Sequence, residues 1–278
     1  MSTARRYFST LLAIALLGTL TACGGLTGVG GTSLFVSEAQ EIEIGQEVHL
    51  EIIQETPLLE NAALTAYVTA LGQQLVVVSD RPHLEHQFFV LDTEQINAFA
   101  APGGFVYVTV GLMRKVNSRA ELAGVMGHEV GHVSGLHGVR TMESQQLTGV
   151  LSDWLLGEDS SLGEVVGWAT GTYLQTAHSQ DMELEADMLG VTYAHKAGYN
   201  PWGIVDFFTL LRDLVGDSDP VSSFLSSHPE PAERIDESSK QIDGLGVAKD
   251  QAGLVIDDAA APFMGWADVQ GQLPAPGG

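Results

Sequence analysis

From Pro57 to about Val77, apolar side chains return every three or four positions, at Leu58, Leu59, Ala62, Leu64, Val68, Leu71 and Leu75, which is the spacing of a helix with one buried face. The pattern then changes to short continuous runs. Phe88 to Leu91 and Phe105 to Val110 read as strands, with Ala101-Pro102-Gly103-Gly104 as the tight connection before the second. Helical spacing resumes after Ser118-Arg119-Ala120-Glu121, a capping box that starts a helix running through His128 and His132 on a buried face of Leu122, Val125, Met126 and Val133. Ser179 caps a further helix, with Asp181 in its first turn, that passes Glu183, Glu185 and Asp187 toward Lys196 and ends at Gly198. Pro201 opens another through Leu214, and Pro229 or Pro231 a shorter one to about Lys240. The expected class is α+β, mostly helical with a small sheet beside the helices. Residues 34–244 form the domain, and 245–278, rich in Gly, Ala, Asp and Pro without a clear period, a peripheral tail.

The stretch from Thr141 to His178 is small and apolar, with Trp154, Trp168 and Tyr173, but Asp153, Glu158, Asp159 and Glu164 interrupt every window long enough to span a bilayer. It is expected to form helices covering a site. At the other end, Arg5 and Arg6 precede the apolar run Leu11 to Leu17, which has the layout of a secretory signal over residues 1–22. Leu20-Thr21-Ala22-Cys23 closes it and resembles a bacterial lipobox, which implies lipidation of Cys23 and a membrane contact through the N-terminal acyl anchor alone. Gly24 in place of an aspartate points to the outer membrane, with the body facing the periplasm. Residues 23–33, glycine-rich, read as a flexible tether.

Composition narrows the partners. With 45% hydrophobic residues the chain is globular, and 35 acids against 12 bases leave a net charge of −23, which repels nucleic acid.

The chemistry concentrates in HEVGHVSGLHG, His128 to Gly138. His128 and His132, four residues apart on a helix, present both imidazoles from one face, and Glu129 beside them completes the HExxH pattern of zinc peptidases. His137 tempts as a third ligand, but it arrives one residue earlier than the metzincin spacing requires, and one residue turns a side chain by about 100°. A partly exposed or supporting role suits it better. Glu183 and Asp187 share a face of the later helix, so Glu183 is placed to bind the metal and Asp187 to accept a hydrogen bond from a ligand histidine. Two neutral imidazoles and one carboxylate leave a Zn2+ ion an open position for water, the layout of a catalytic site.

Four stretches together resemble the gluzincin family that includes HtpX, the BepA-type periplasmic proteases and the CAAX prenyl endopeptidase: Asn97 to Gly104, HEVGH with His137, Glu183 to Asp187, and Ser227-His228-Pro229 with Glu233-Arg234-Ile235. The resemblance implies a zincin-like metallopeptidase domain, with Glu183 as third zinc ligand, Glu129 as the catalytic glutamate and Asp187 as orienter. Gln180 stands where many relatives carry arginine. The expected activity is hydrolysis of peptide bonds in misfolded or unassembled envelope proteins through a zinc-bound water, with Glu129 as general base. Asn97 and Ala98 begin a stretch that offers a sheet edge for an extended substrate, or else an ordinary core hairpin. His228 is expected close to the site, where it could donate to the oxyanion or occupy the open metal position and silence the enzyme. His49, His83, His86, His178 and His195 read as surface or structural. The rival reading is a periplasmic chaperone or assembly factor working with the outer-membrane assembly machinery.

Overall fold

The computed structural model describes residues 33, 36–144, 160–171, 178–214, 222–229, 231–250 and 264–276. The signal, Cys23, nearly all of the tether and much of the stretch between Thr141 and His178 lie outside these residues.

The chain opens with α1 (Glu38–Glu55), whose start is fixed by a reciprocal capping box between Ser37 and Gln40. Its buried stripe is Ile44, Val48 and Ile52, at helical spacing. Helix α2 (Ala62–Val77) begins five residues later than the apolar period suggests. Asn61 sets the start, because its side-chain oxygen accepts from the amides of Ala63 and Leu64. Pro57 to Asn61 is spent on the sheet instead: Leu58 bridges to Leu91, the Leu59 amide donates to the Val90 carbonyl and the Asp92 amide to the Pro57 carbonyl. Proline holds Thr56 extended, at φ −132° and ψ 113°, so the apolar pair Leu58-Leu59 enters as backbone beside a strand.

The sheet has three strands, β1 (Gln87–Leu91), β2 (Ala98–Ala101) and β3 (Phe105–Thr109), in the order β1-β3-β2. β3 is parallel to β1 and antiparallel to β2, with Ala98 opposite Val108 and Ala101 opposite Phe105. The segment before the Pro102–Gly104 turn is therefore itself a strand. That turn is a single 3-10 turn in which Gly103 and Gly104 adopt φ of +77° and +91°, values side-chain-bearing residues resist. The last strand stops at Thr109, whose hydroxyl accepts from the Leu112 amide and caps α3 (Val110–Lys115).

Alternation splits the strands between two cores. Val106 and Val108 face α2 and α4, while Phe105 and Tyr107 face the stripe of α1. Helix α4 (Arg119–Ser134) is the central element, buried along almost its whole length between the sheet and the helices behind it. Ser118 accepts from the Glu121 amide, and the Glu121 carboxylate reaches back to the amide of Asn117, one residue before the cap. There follow α5 (His137–Ser144), α6 (Ser160–Gly171), α7 (Gln180–Lys196), α8 (Trp202–Leu214), α9 (Ser222–Ser227) and α10 (Pro231–Leu245). Helix α7 crosses α4 at backbone distance: a Cβ on Gly190 would stand 2.8 Å from the His128 amide nitrogen, and one on Gly131 2.7 Å from the Ala186 carbonyl oxygen. Glycine at both positions is what permits the approach.

Part of the segment after Gly244 returns to the domain. Helix α11 (Trp266–Gln272) buries Val269, Arg119 donates to the Met264 carbonyl, and Arg114 to that of Pro274. Among the described residues no helix is long and apolar enough to cross a membrane.

Candidate metal centre

Successive turns of α4 carry His128 and His132 to the same side, both buried, with their Nε2 atoms 2.9 Å apart. Two imidazole lone pairs at that distance repel unless a cation or a proton lies between them. From the facing turn of α7, Glu183 brings Oε1 to 3.3 Å from His132 Nε2 and Oε2 to 3.6 Å from His128 Nε2. A fourth donor comes from the turn after α9, where His228 Nδ1 lies 3.1 Å from both Glu183 oxygens and 3.3 Å from His128 Nε2. Donors around a tetrahedral ion with ligands at ~2.0–2.1 Å stand about 3.3–3.4 Å from one another. The contacts among the four side chains run from 2.9 to 3.6 Å, around that spacing, and the buried group is able to hold a metal ion.

Each α4 imidazole is held from its far side. Asp187 Oδ1 is 2.8 Å from His128 Nδ1, and His137 Nδ1 is 2.8 Å from His132 Nδ1. His137 does not join the four donors, and it is wholly buried rather than partly exposed.

Glu129 lies beside this group without entering it. Its Oε1 is 3.7 Å from His228 Nε2, and both carboxylate oxygens are buried without a hydrogen-bond partner among the described residues. Burial raises its pKa, against the opposing pull of His228 and His128. An unpartnered buried carboxylate beside clustered metal donors is a group able to take up a proton. Burial likewise pushes His132 well down, which keeps the imidazole neutral, the form that binds metals. Burial would raise Glu183 too, but the charges of His228 and Arg234 outweigh it and hold the carboxylate well below its usual range.

Arg234 is the residue the motif reading left without a role. Its guanidinium, 2% exposed, makes paired 2.7 Å bonds to the two oxygens of Asp187 and a 2.8 Å contact to Glu183 Oε2. It therefore ties the two acids of α7 together from α10, stacked over Phe208 with its central carbon 4.2 Å from the ring centre. The signal was present in α10. Arg234, Ser238 and Ile242 recur at four-residue spacing, so the arginine sits on the core-facing stripe.

His178, expected to be surface or structural, packs beside this group. Its ring packs 4.3 Å from that of His132 and 5.5 Å from that of His228, and burial, reinforced by His228, lowers its pKa to about 3. Nothing in its immediate sequence marks it. Asn97 and Ala98 are not among the four donors. The Asn97 amide donates to the Thr109 hydroxyl, Ala98 is buried opposite Val108, and β2 forms one edge of the sheet. Asn97, Phe99, Thr170 and Ser226 are among the residues that line a cavity of about 450 Å³, and Ser226 stands two residues before His228.

Comparison with known proteins agrees with this geometry. The model of Peptidase family M48 matches residues 62–242. The beta-barrel assembly-enhancing protease of Escherichia coli K12 is 31% identical over 219 residues, which cover 75% of this chain and 44% of the relative. The metalloprotease YcaL of the same organism is 31% identical over 150 residues, 51% of this chain and 56% of the relative. The mitochondrial metalloendopeptidase OMA1 of Arabidopsis thaliana is 31% identical over 155 residues, 55% of this chain and 31% of the relative. This chain thus spans less than half the length of the first of these. The matched segment runs from the first residue of α2 into α10 and includes all four clustered donors, so the chain belongs to peptidase family M48, a family of metallopeptidases.

Proposed function

We propose that the chain is a zinc-dependent endopeptidase acting on misfolded or unassembled proteins of the bacterial envelope. The observation that carries this reading is the convergence of His128, His132 and Glu183 beside the unpartnered carboxylate of Glu129. Two imidazoles and a carboxylate suit zinc, and Asp187 fixes the ring of His128. When bound, the ion supplies Lewis-acid polarisation of the scissile carbonyl and a more acidic water. Glu129 would accept a proton from the attacking water and later pass it to the leaving amine, a role its raised pKa suits. An extended substrate pairs with the edge of β2 from Asn97 and Ala98 onward. Envelope substrates are supported by the relative named a beta-barrel assembly-enhancing protease. The lipidated Cys23 would tether the body to the outer membrane on its periplasmic side. The chaperone or assembly-factor reading gives no account of Glu129, a buried carboxylate without a hydrogen-bond partner among the described residues.

Purified protein loaded with zinc is expected to cleave an unfolded outer-membrane protein, to stop when a chelator is added and to resume when zinc is restored. Cleavage indifferent to the chelator would overturn the reading.

Of the two roles open to His228, the geometry favours the silencing one, because Nδ1 stands at the fourth donor position rather than behind it. Hydrolysis then requires the turn after α9 to swing outward. His228→Ala is expected to retain one zinc per chain with affinity lowered by about tenfold and to raise basal cleavage. A fall in kcat with unchanged zinc affinity would instead assign His228 to the oxyanion.

A further inference from the structure

We propose that His137 is a positioning residue that fixes the ring of His132 for metal binding, with Glu185 setting the tautomer of His137 from the opposite side. This rests on the metal-site reading above and deepens it. Helix α4 ends at Ser134, and the chain reverses through Gly135 and Leu136, the latter at φ +56°, a left-handed value uncommon outside glycine. The reversal returns His137, the first residue of α5, beneath α4. Its ring packs against Gly135, where a Cβ would stand 2.4 Å from Nε2, and the residue is wholly excluded from solvent.

A neutral imidazole carries one proton on one of its two nitrogens. The 2.8 Å contact between His132 Nδ1 and His137 Nδ1 therefore needs one ring to donate and the other to accept. His132 presents Nε2 to the other donors, so its lone pair is required there and its proton must sit on Nδ1. His137 then accepts at Nδ1 and carries its own proton on Nε2. That nitrogen lies 3.3 Å from Glu185 Oε2, oblique to a full hydrogen bond but close enough for the carboxylate to favour N–H over a lone pair. Glu185 is in turn held by Arg140 at 2.9 Å. The reverse assignment would aim a lone pair at the carboxylate and a proton at the metal side of His132.

The two ligand histidines are thus supported unequally. Asp187 places a carboxylate directly behind His128, whereas His132 has a neutral imidazole behind it and the charge one ring farther away. The direct contact makes His128 the more strongly donating ring. Residue 137, the tempting third ligand of the motif, acts on the ion only through its neighbour.

The test compares zinc affinity by chelator competition and the visible spectrum of the cobalt-substituted protein across two pairs of variants in the full chain. His137→Leu removes the acceptor. His137→Asn keeps a carbonyl oxygen near the place of Nδ1. His137→Leu is expected to weaken zinc by about 10–100-fold, at unchanged stoichiometry under saturating zinc, and to shift the cobalt bands. His137→Asn is expected to return affinity and spectrum to near the wild-type values. Glu185 is partly exposed, so its variants carry the test if the buried leucine prevents folding. Glu185→Leu should weaken zinc by about tenfold, and Glu185→Gln, which still accepts, much less. Equal zinc affinity and one cobalt spectrum for the leucine and asparagine variants at 137, or equal affinity for the two variants at 185 should His137→Leu not fold, would overturn the proposal. Failure of the wild type to bind either metal would overturn the metal-site reading beneath it.

Discussion

Glu129→Gln is expected to lower kcat for an unfolded protein substrate by about 10²–10⁴-fold while leaving zinc stoichiometry and client binding intact. The substitution preserves shape and removes only the ability to take a proton. Glu129 contributes no atom to the four-donor group, so the ion's binding should not change. It also makes no hydrogen bond to the described residues, so no structural contact is lost that might lower activity by another route. The amide remains polar and can still meet His228 Nε2, which lies 3.7 Å from the present carboxylate. Steady-state cleavage measured beside metal analysis on the same preparation checks this. A variant retaining more than a tenth of the wild-type rate would exclude Glu129 as the proton acceptor.

Arg234→Leu is expected to be the most destabilising single change at the centre, lowering the free energy of unfolding by about 3–5 kcal/mol. The guanidinium, itself 2% exposed, is the shared partner of two carboxylates that are 2–3% exposed. Removing it leaves Asp187 and Glu183 buried with a charge no side chain of that size replaces. Against a typical stability of about 5–15 kcal/mol, such a loss puts the folded state at risk. Arg234→Lys should rescue little, because a single ammonium cannot reproduce the paired bonds to Asp187 and the reach to Glu183 together. Urea unfolding of the metal-free protein reads the effect as a shifted midpoint at an unchanged slope. Saturating zinc should stabilise wild type and variant alike, and the deficit should shrink only by the part in which the ion takes over neutralisation of Glu183. A midpoint shift corresponding to less than 1 kcal/mol would mean that water or another cation compensates the acids.

The parts legible beforehand were those written in local spacing. The helix of His128 and His132 announces itself by a cap and a four-residue repeat, and the pairing of Glu183 with Asp187 by the same repeat on α7. Asp187 lies 2.8 Å from the imidazole of His128. What stayed hidden depends on chain reversal or on long-range packing. His137 was expected to stand outside the ligand set, and its contact with His132 follows a chain reversal in which Leu136 is left-handed. His178 reaches the site through tertiary stacking that has no sequence period. Helix α1 carries a clear stripe of Ile44, Val48 and Ile52 after the Ser37 and Gln40 box, but interleaved glutamates mask it, and one of them, Glu41, is itself buried as the partner of Arg81. Strand β2 is four residues of Ala and Phe, too short and too alanine-rich to be read as a strand without its partner.

The glycine crossing of α4 and α7 fixes the span between the two halves of the centre like the jaws of a calliper. Because Gly190 and Gly131 bring main chain against main chain, the gap from the imidazoles to Glu183 is gauged by peptide units rather than by the bulk of any side chain. Hydrophobic residues elsewhere in the interior can drift in size without re-setting that gauge. A single methyl group added at either glycine would re-set it, however conservative the exchange looks on paper.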